Sequence, residues 1–121
     1  MRKPTTVLVI DDDPAIARVL EFAIDYLDGW TARFATDEAT ARAALAESVP
    51  DYILLDKNLA NSDGIDVLAS LRAVYDLSGS RVVLMTAAGP THSADELRQL
   101  GIAQALTKPF DPTSLPSLLN S

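Results

Sequence analysis

Short apolar runs alternate with amphipathic stretches along the whole chain. Thr5 and Thr6 lead into Val7-Leu8-Val9-Ile10, a run that stops at Asp11-Asp12-Asp13 and predicts a buried strand over residues 5–10. A helix is predicted over 14–27, with Asp13 as N-cap and Pro14 at the first helical position. Ile16, Val19, Leu20, Ala23, Ile24 and Leu27 carry the helical spacing, and Gly29 ends the turn behind them. Trp30, Ala32 and Phe34 alternate with Thr31 and Arg33, which predicts a second strand. Thr36 is the expected cap of a helix running to about Ser48, where Asp37 and Glu38 suit the positive end of the helix dipole and Pro50 stops the helix. A third strand is expected over 51–55, then a loop of Asn, Ser, Asp and Gly over 58–64, with Asp63-Gly64 as turn residues before a helix over 65–75 that buries Ile65, Leu68, Leu71 and Tyr75. Residues 81–85 read as a fourth strand and Gly89-Pro90 as a break. A short helix over 93–100 ends at Gly101, and a weak fifth strand covers 103–106. A last helix over 112–119 is weakened by Pro116, which removes an interior donor.

Strand followed by helix five times, without an internal repeat or linker, predicts one domain over residues 1–121. Continuously apolar strands alternating with helices imply a five-stranded parallel sheet covered on both faces, and right-handed crossovers make it doubly wound. Ligands in such sheets bind at the carboxyl ends of the strands.

Composition narrows the function. The chain of 121 residues is 48% hydrophobic, which suffices for an ordinary core. Its formal charge of -7 opposes binding of nucleic acid or of an anionic membrane over most of its surface. The absence of cysteine excludes disulfides, thiolate metal sites and cysteine nucleophiles, and fits a cytoplasmic protein. No apolar run approaches the length of a membrane span, and the run after the basic start is too short for a secretory signal.

The chemistry gathers at one rim. The first strand ends at Asp11-Asp12, the third at Asp56, the fourth at Thr86 and the fifth at Lys108. Two carboxylates about 4 Å apart repel by roughly 4 kcal/mol at an effective dielectric near 20. One of them takes up a proton, or a cation binds. The available donors are hard oxygens, which favour Mg²⁺, with Mn²⁺ or Ca²⁺ as alternatives. A carboxylate in such a pocket can act as a nucleophile towards a phosphoryl group, while the cation, an ammonium and a hydroxyl neutralise its oxygens.

These residues resemble the receiver domain of bacterial two-component response regulators. The resemblance covers the whole chain and is carried by Val7 to Pro14, by Leu54-Leu55-Asp56 with Asp63-Gly64 behind it, by Val83-Leu84-Met85-Thr86-Ala87 and by Lys108-Pro109-Phe110. The intervals agree as well, with 45 positions from Asp11 to Asp56, 30 to Thr86 and 22 to Lys108. The resemblance implies a flavodoxin-like strand order of 2-1-3-4-5. It implies that Asp56 is the phosphoacceptor and that Asp11, Asp12, Asp56 and the backbone carbonyl of Asn58 hold Mg²⁺. Thr86 would bind a phosphoryl oxygen and move as the switch, and Lys108 would contact the phosphate through a chain whose bond to Pro109 is commonly cis. The implied donor is a sensor histidine kinase or a histidine phosphotransfer protein, and the implied readers are an output domain or target protein. A monomer or weak homodimer is implied, acting as a phosphoacceptor that assists its own phosphorylation and dephosphorylation rather than as an enzyme.

Four features depart from that pattern. Ala105 stands where a Tyr or Phe is usual, Leu59-Ala60 replaces Met-Pro, Lys57 takes a place where an apolar residue is commoner, and the last helix carries Pro116. Two other readings follow. The chain also resembles, less closely, Mg²⁺-dependent phosphohydrolases of the haloacid dehalogenase family through Asp11 and Asp13, but Pro14-Ala15 departs from that pattern and Asp56 is left without a role. The other is a degenerate receiver that docks partners independently of phosphate. Away from the rim, Asp13 reads as a helix cap, Asp95, Glu96 and Arg98 as a solvated face, His92 as a surface residue, Trp30 as strand-edge packing, and Tyr75 and Phe110 as packing residues.

Overall fold

The computed structural model describes residues 5–59, 62–86 and 92–108. The expected last helix, Gly89-Pro90, Ala60, the Lys108–Pro109 bond and Phe110 lie outside the described residues.

Five parallel strands form the sheet: β1 (Thr5–Ile10), β2 (Trp30–Ala35), β3 (Tyr52–Asp56), β6 (Arg81–Thr86) and β7 (Gln104–Thr107). Their order is β2-β1-β3-β6-β7. With the strands counted one to five along the chain, this is the expected 2-1-3-4-5. Between them run α1 (Pro14–Asp25), α2 (Glu38–Glu47), α3 (Gly64–Val74) and α4 (Ala94–Gln99). Each of the four connections between these strands thus contains a helix, as parallel pairing requires.

Alternation along each strand divides the core. Leu8, Ile10, Ile53, Leu55, Val82 and Leu84 point to one face, where Ala41 and Leu45 of α2, Val67, Leu68 and Leu71 of α3 and Leu97 of α4 cover them. Val7, Val9, Leu54, Val83, Met85 and Leu106 point to the other, against Leu20 and Ile24 of α1. Full burial of each such side chain stabilises by about 1.5–3 kcal/mol.

The helices differ from expectation at their ends for local reasons. Asp37, not Thr36, caps α2: its carboxylate accepts from the Thr40 amide at 2.8 Å, and the Thr40 hydroxyl returns to the Asp37 amide at 3.1 Å. Asp13 caps α1 as expected, accepting from the Ala15 amide at 2.9 Å, but the helix ends at Asp25, and Leu27 lies in the following turn. Val19 is half exposed instead of buried, because one step from Leu20 rotates a side chain about 100° around the axis. Val19, Phe22 and Tyr26 form an exposed apolar stripe, with the two rings 5.4 Å apart.

The expected loop after β3 contains a small hairpin, in which β4 (Asn58–Leu59) pairs antiparallel with β5 (Ser62–Asp63). Leu59 is buried and anchors it. Trp30 lies on the edge strand and stacks on Tyr52 at 5.6 Å. Tyr75 packs against the core and donates its hydroxyl to the Arg42 carbonyl at 3.1 Å.

Candidate functional site

The three buried polar residues among those described are Asp11, Asp56 and Thr86. They occupy the carboxyl ends of β1, β3 and β6, three adjacent strands, with Asp11 directly after β1. Each strand runs apolar up to its last position and delivers one polar side chain at the same rim. Lys108 follows β7 directly, so the edge strand beside β6 contributes the ammonium.

Lys108 Nζ donates to Asp11 Oδ2 at 2.8 Å and lies 3.4 Å from Asp56 Oδ1. Asp11 Oδ1 accepts from the Asp13 amide at 2.9 Å, which turns the chain away from β1. Asp56 Oδ1 also accepts from the Asn58 amide at 3.1 Å. The backbone of Lys108 is tied to β6 through its amide, which donates to the Thr86 carbonyl at 2.6 Å. The structure therefore brings Asp11, Asp56 and Lys108 into contact, places Thr86 beside them at the end of β6, and places Asn58 next to Asp56.

The electrostatics follow from burial. The Asp56 carboxyl is held above its ordinary value, first by desolvation and then by the charge of Asp11, against the opposing pull of the Asn58 amide and Lys108. Burial works to lower the Lys108 pKa, but hydrogen bonding and charge from Asp11, reinforced by Asp56, outweigh it and hold the ammonium above its ordinary value. Lys108 is therefore charged at neutral pH.

One carboxylate oxygen from each of Asp11, Asp12 and Asp56 can be chosen so that all lie within 4.8 Å of one another. Asp11 and Asp56 are buried, and Asp12 is half-buried and open to exchange with solvent. An all-oxygen, all-anionic donor set of this size fits a hard divalent cation, and so the acidic cluster can hold one.

A family model, the response regulator receiver domain, matches residues 7–120. The chain belongs to the response regulator receiver domain family. Receiver domains are phosphoacceptor signalling modules rather than conventional enzymes. Among curated relatives, the probable transcriptional regulatory protein TcrX of Mycobacterium tuberculosis is 36% identical over 108 residues, covering 89% of this chain and 45% of the relative. KdpE, a transcriptional regulatory protein of the same species, is 38% identical over 108 residues, covering 88% and 45%. The chain thus spans less than half the length of these relatives. The chemotaxis protein CheY4 of Vibrio cholerae shares the fold, with a TM-score of 0.84 at 22% identity over 97% of both chains.

Among the described residues, the departures from the receiver pattern have places. Ala105 is half-buried in β7 and lines a cavity of about 510 Å³ with His92, Leu97 and Ile102. His92 is half-buried rather than a plain surface residue, with Nδ1 3.3 Å from Glu96 Oε2. Asp95 and Arg98 are exposed and pair with each other at 2.7 Å, as a solvated face should. Glu96 instead joins Ser93 in the capping box of α4.

Two features of the site were not read from the sequence. Gly64 opens α3 against the backbone of Asp56, where an added Cβ would sit 2.1 Å from the Asp56 carbonyl oxygen. Lys57 reaches Asp63, with Nζ 3.5 Å from Oδ2. Asp63-Gly64 was legible as turn chemistry, but its approach to Asp56 depends on the fold.

Proposed function

We propose that this receiver accepts a phosphoryl group on Asp56 from a phosphohistidine of a sensor kinase or phosphotransfer protein. The contact of Lys108 with both Asp11 and Asp56 carries this reading, because it joins the nucleophile, the acidic cluster and a fixed cation in one rim. Asp11, Asp12, Asp56 and the Asn58 carbonyl would hold Mg²⁺, which when bound supplies charge neutralisation for the phosphoryl oxygens.

The step balances simply. An Asp56 carboxylate oxygen forms the new bond to phosphorus, and the phosphorus–nitrogen bond breaks with its electron pair leaving on the imidazole of the donor. In its ionised form the Asp56 carboxylate needs no separate base. Lys108 moves its interaction from the Asp56 carboxylate to the added phosphoryl oxygens, and the Thr86 hydroxyl supplies a further donor to them. Attack of water on the acyl phosphate would return Asp56, with the same residues assisting.

The exposed stripe of Val19, Phe22 and Tyr26 on α1, which begins directly after the acidic rim, suits the apolar face of a donor's helix. Relatives named as transcriptional regulators support an output that controls transcription through another part of a longer protein. The chain's net charge of -7 argues against nucleic-acid binding by the domain itself.

Incubation with Mg²⁺ and acetyl phosphate followed by mass spectrometry tests the reading. Wild type should gain one phosphoryl group and Asp56→Asn none. Label in Asp56→Asn located on Asp11 would instead favour a phosphohydrolase, although Asp13 is already engaged in capping α1.

A further inference from the structure

The loop after Asp56 is fastened at several points. The Lys57 amide donates to the Met85 carbonyl at 2.9 Å, and the Gly64 amide donates to the Lys57 carbonyl at 2.6 Å. Asn58 pairs with Asp63 and Leu59 with Ser62 across the β4–β5 hairpin. Asp63 uses one carboxylate oxygen, Oδ1, to cap α3 through the Ile65 amide at 2.8 Å and turns the other, Oδ2, to Lys57 at 3.5 Å. The Lys57 side chain is 20% exposed, so its stem is packed while its ammonium serves Asp63.

A hairpin of two residues per strand is marginal by itself. Its base is where the chain leaves the sheet at Lys57 and enters α3 at Gly64, and the Lys57–Asp63 pair spans that base. Asn58, which shares the hairpin's first strand, also donates its amide to Asp56 Oδ1. Slack in the hairpin would therefore reach both Asn58 and Asp56.

We propose that Lys57 is a positioning residue for the cation site, its ion pair with Asp63 holding the segment that carries the Asn58 carbonyl. The inference rests on the proposed binding of Mg²⁺ by Asp11, Asp12, Asp56 and Asn58. It makes a counter-intuitive demand. By charge alone, a lysine next to Asp56 repels a cation, so its removal should tighten Mg²⁺ binding, and removal of the Asp63 charge should weaken it. If the pair positions the loop, removal of either partner weakens binding.

The experiment is a cycle of Lys57→Met, Asp63→Asn and the double variant, with Lys57→Arg as the conservative control. Methionine keeps the apolar stem, and asparagine keeps the helix cap. Mg²⁺ is titrated against amide NMR shifts of the rim, and amide exchange of Asn58 and Leu59 is measured without metal. Positioning predicts that each single variant weakens Mg²⁺ by about 2- to 5-fold, the range an ion pair of this exposure allows. It also predicts that the double variant is no weaker than the singles, that Lys57→Arg behaves as wild type, and that exchange is faster in both singles even without metal. Tighter binding in Lys57→Met, or affinities and exchange unchanged in both singles, overturns it while leaving the cation site itself intact. Absence of rim shifts in wild type overturns the underlying site and the proposal with it.

Discussion

Lys108 donates to Asp11 Oδ2 at 2.8 Å although the two residues stand 97 positions apart in the chain. The ammonium meets two carboxylates, Asp11 and Asp56, of a cluster of three that includes Asp12, so one cation faces three acids and a divalent cation can offset the remainder. The lysine and the cation therefore share the task of making the acidic cluster tolerable.

Removing the lysine should expose that dependence. Lys108→Met leaves Asp11 buried without its charged partner, and the expected loss of stability in metal-free buffer is about 1–3 kcal/mol. Added Mg²⁺ should restore more stability to the variant than to wild type. Urea denaturation with and without the metal measures both.

Asp56 carries a pH signature. Its carboxyl is held above the ordinary value of 3.8 by burial first and by Asp11 second. Between that value and the raised native one, the folded state binds more protons than the unfolded state, so this group's contribution to stability falls as pH rises. Asp56→Asn lacks the effect. In metal-free thermal melts, its stability relative to wild type should increase from about pH 4 upward and level off once the native carboxyl is ionised.

Gly64→Ala should damage fold and site together. The new methyl would lie 2.1 Å from the Asp56 carbonyl oxygen, a backbone atom that cannot swing aside. A loss of about 1–3 kcal/mol is expected, with weaker Mg²⁺ binding because Asp56 itself must shift. Calorimetry and a metal titration check the two effects separately.

Arg72 offers the contrasting case at the far end of the sheet. Its guanidinium donates to the carbonyls of Leu100 and Gly101 beyond the end of α4. Arg72→Ala should cost about 1–3 kcal/mol and leave Mg²⁺ affinity unchanged. Gly101, at φ +71°, has the same guanidinium within 2.9 Å of any added Cβ, so Gly101→Ala should destabilise as well.

The α1 stripe should matter to a partner and not to the fold. Phe22 and Tyr26 are 68% and 80% exposed, so Phe22→Ser with Tyr26→Ser should change stability by no more than about 0.5 kcal/mol each. Labelling by acetyl phosphate should be unaffected, while transfer from a protein donor should slow.

Much of the fold was legible because its three central strands are buried on both faces. A run such as Val7 to Ile10 or Ile53 to Leu55 has no polar face to present, and only a parallel sheet under helices accommodates several of them. The cap at Asp13 was readable for a local reason, since the amide that satisfies it lies two positions away, whereas Asp63 was read only as a turn residue although it caps α3 in the same way. Thr36 and Val19 were misread at the same scale. Thr36 and Asp37 are adjacent acceptors that only the backbone path separates, and Val19 lies at the margin of a helical stripe whose width is set by neighbours.

By itself the sequence determined the class of sheet, the residue types that end its strands and their order along the chain, because hydrophobic periodicity and the intervals from Asp11 to Lys108 are properties of the chain alone. Tertiary structure decided what those residues do to one another. The pairing of Lys108 with Asp11, the upward shift of Asp56 by burial, the closeness of Gly64 to its backbone and the fastening of Lys57 to Asp63 depend on distance and desolvation, and packing sets both.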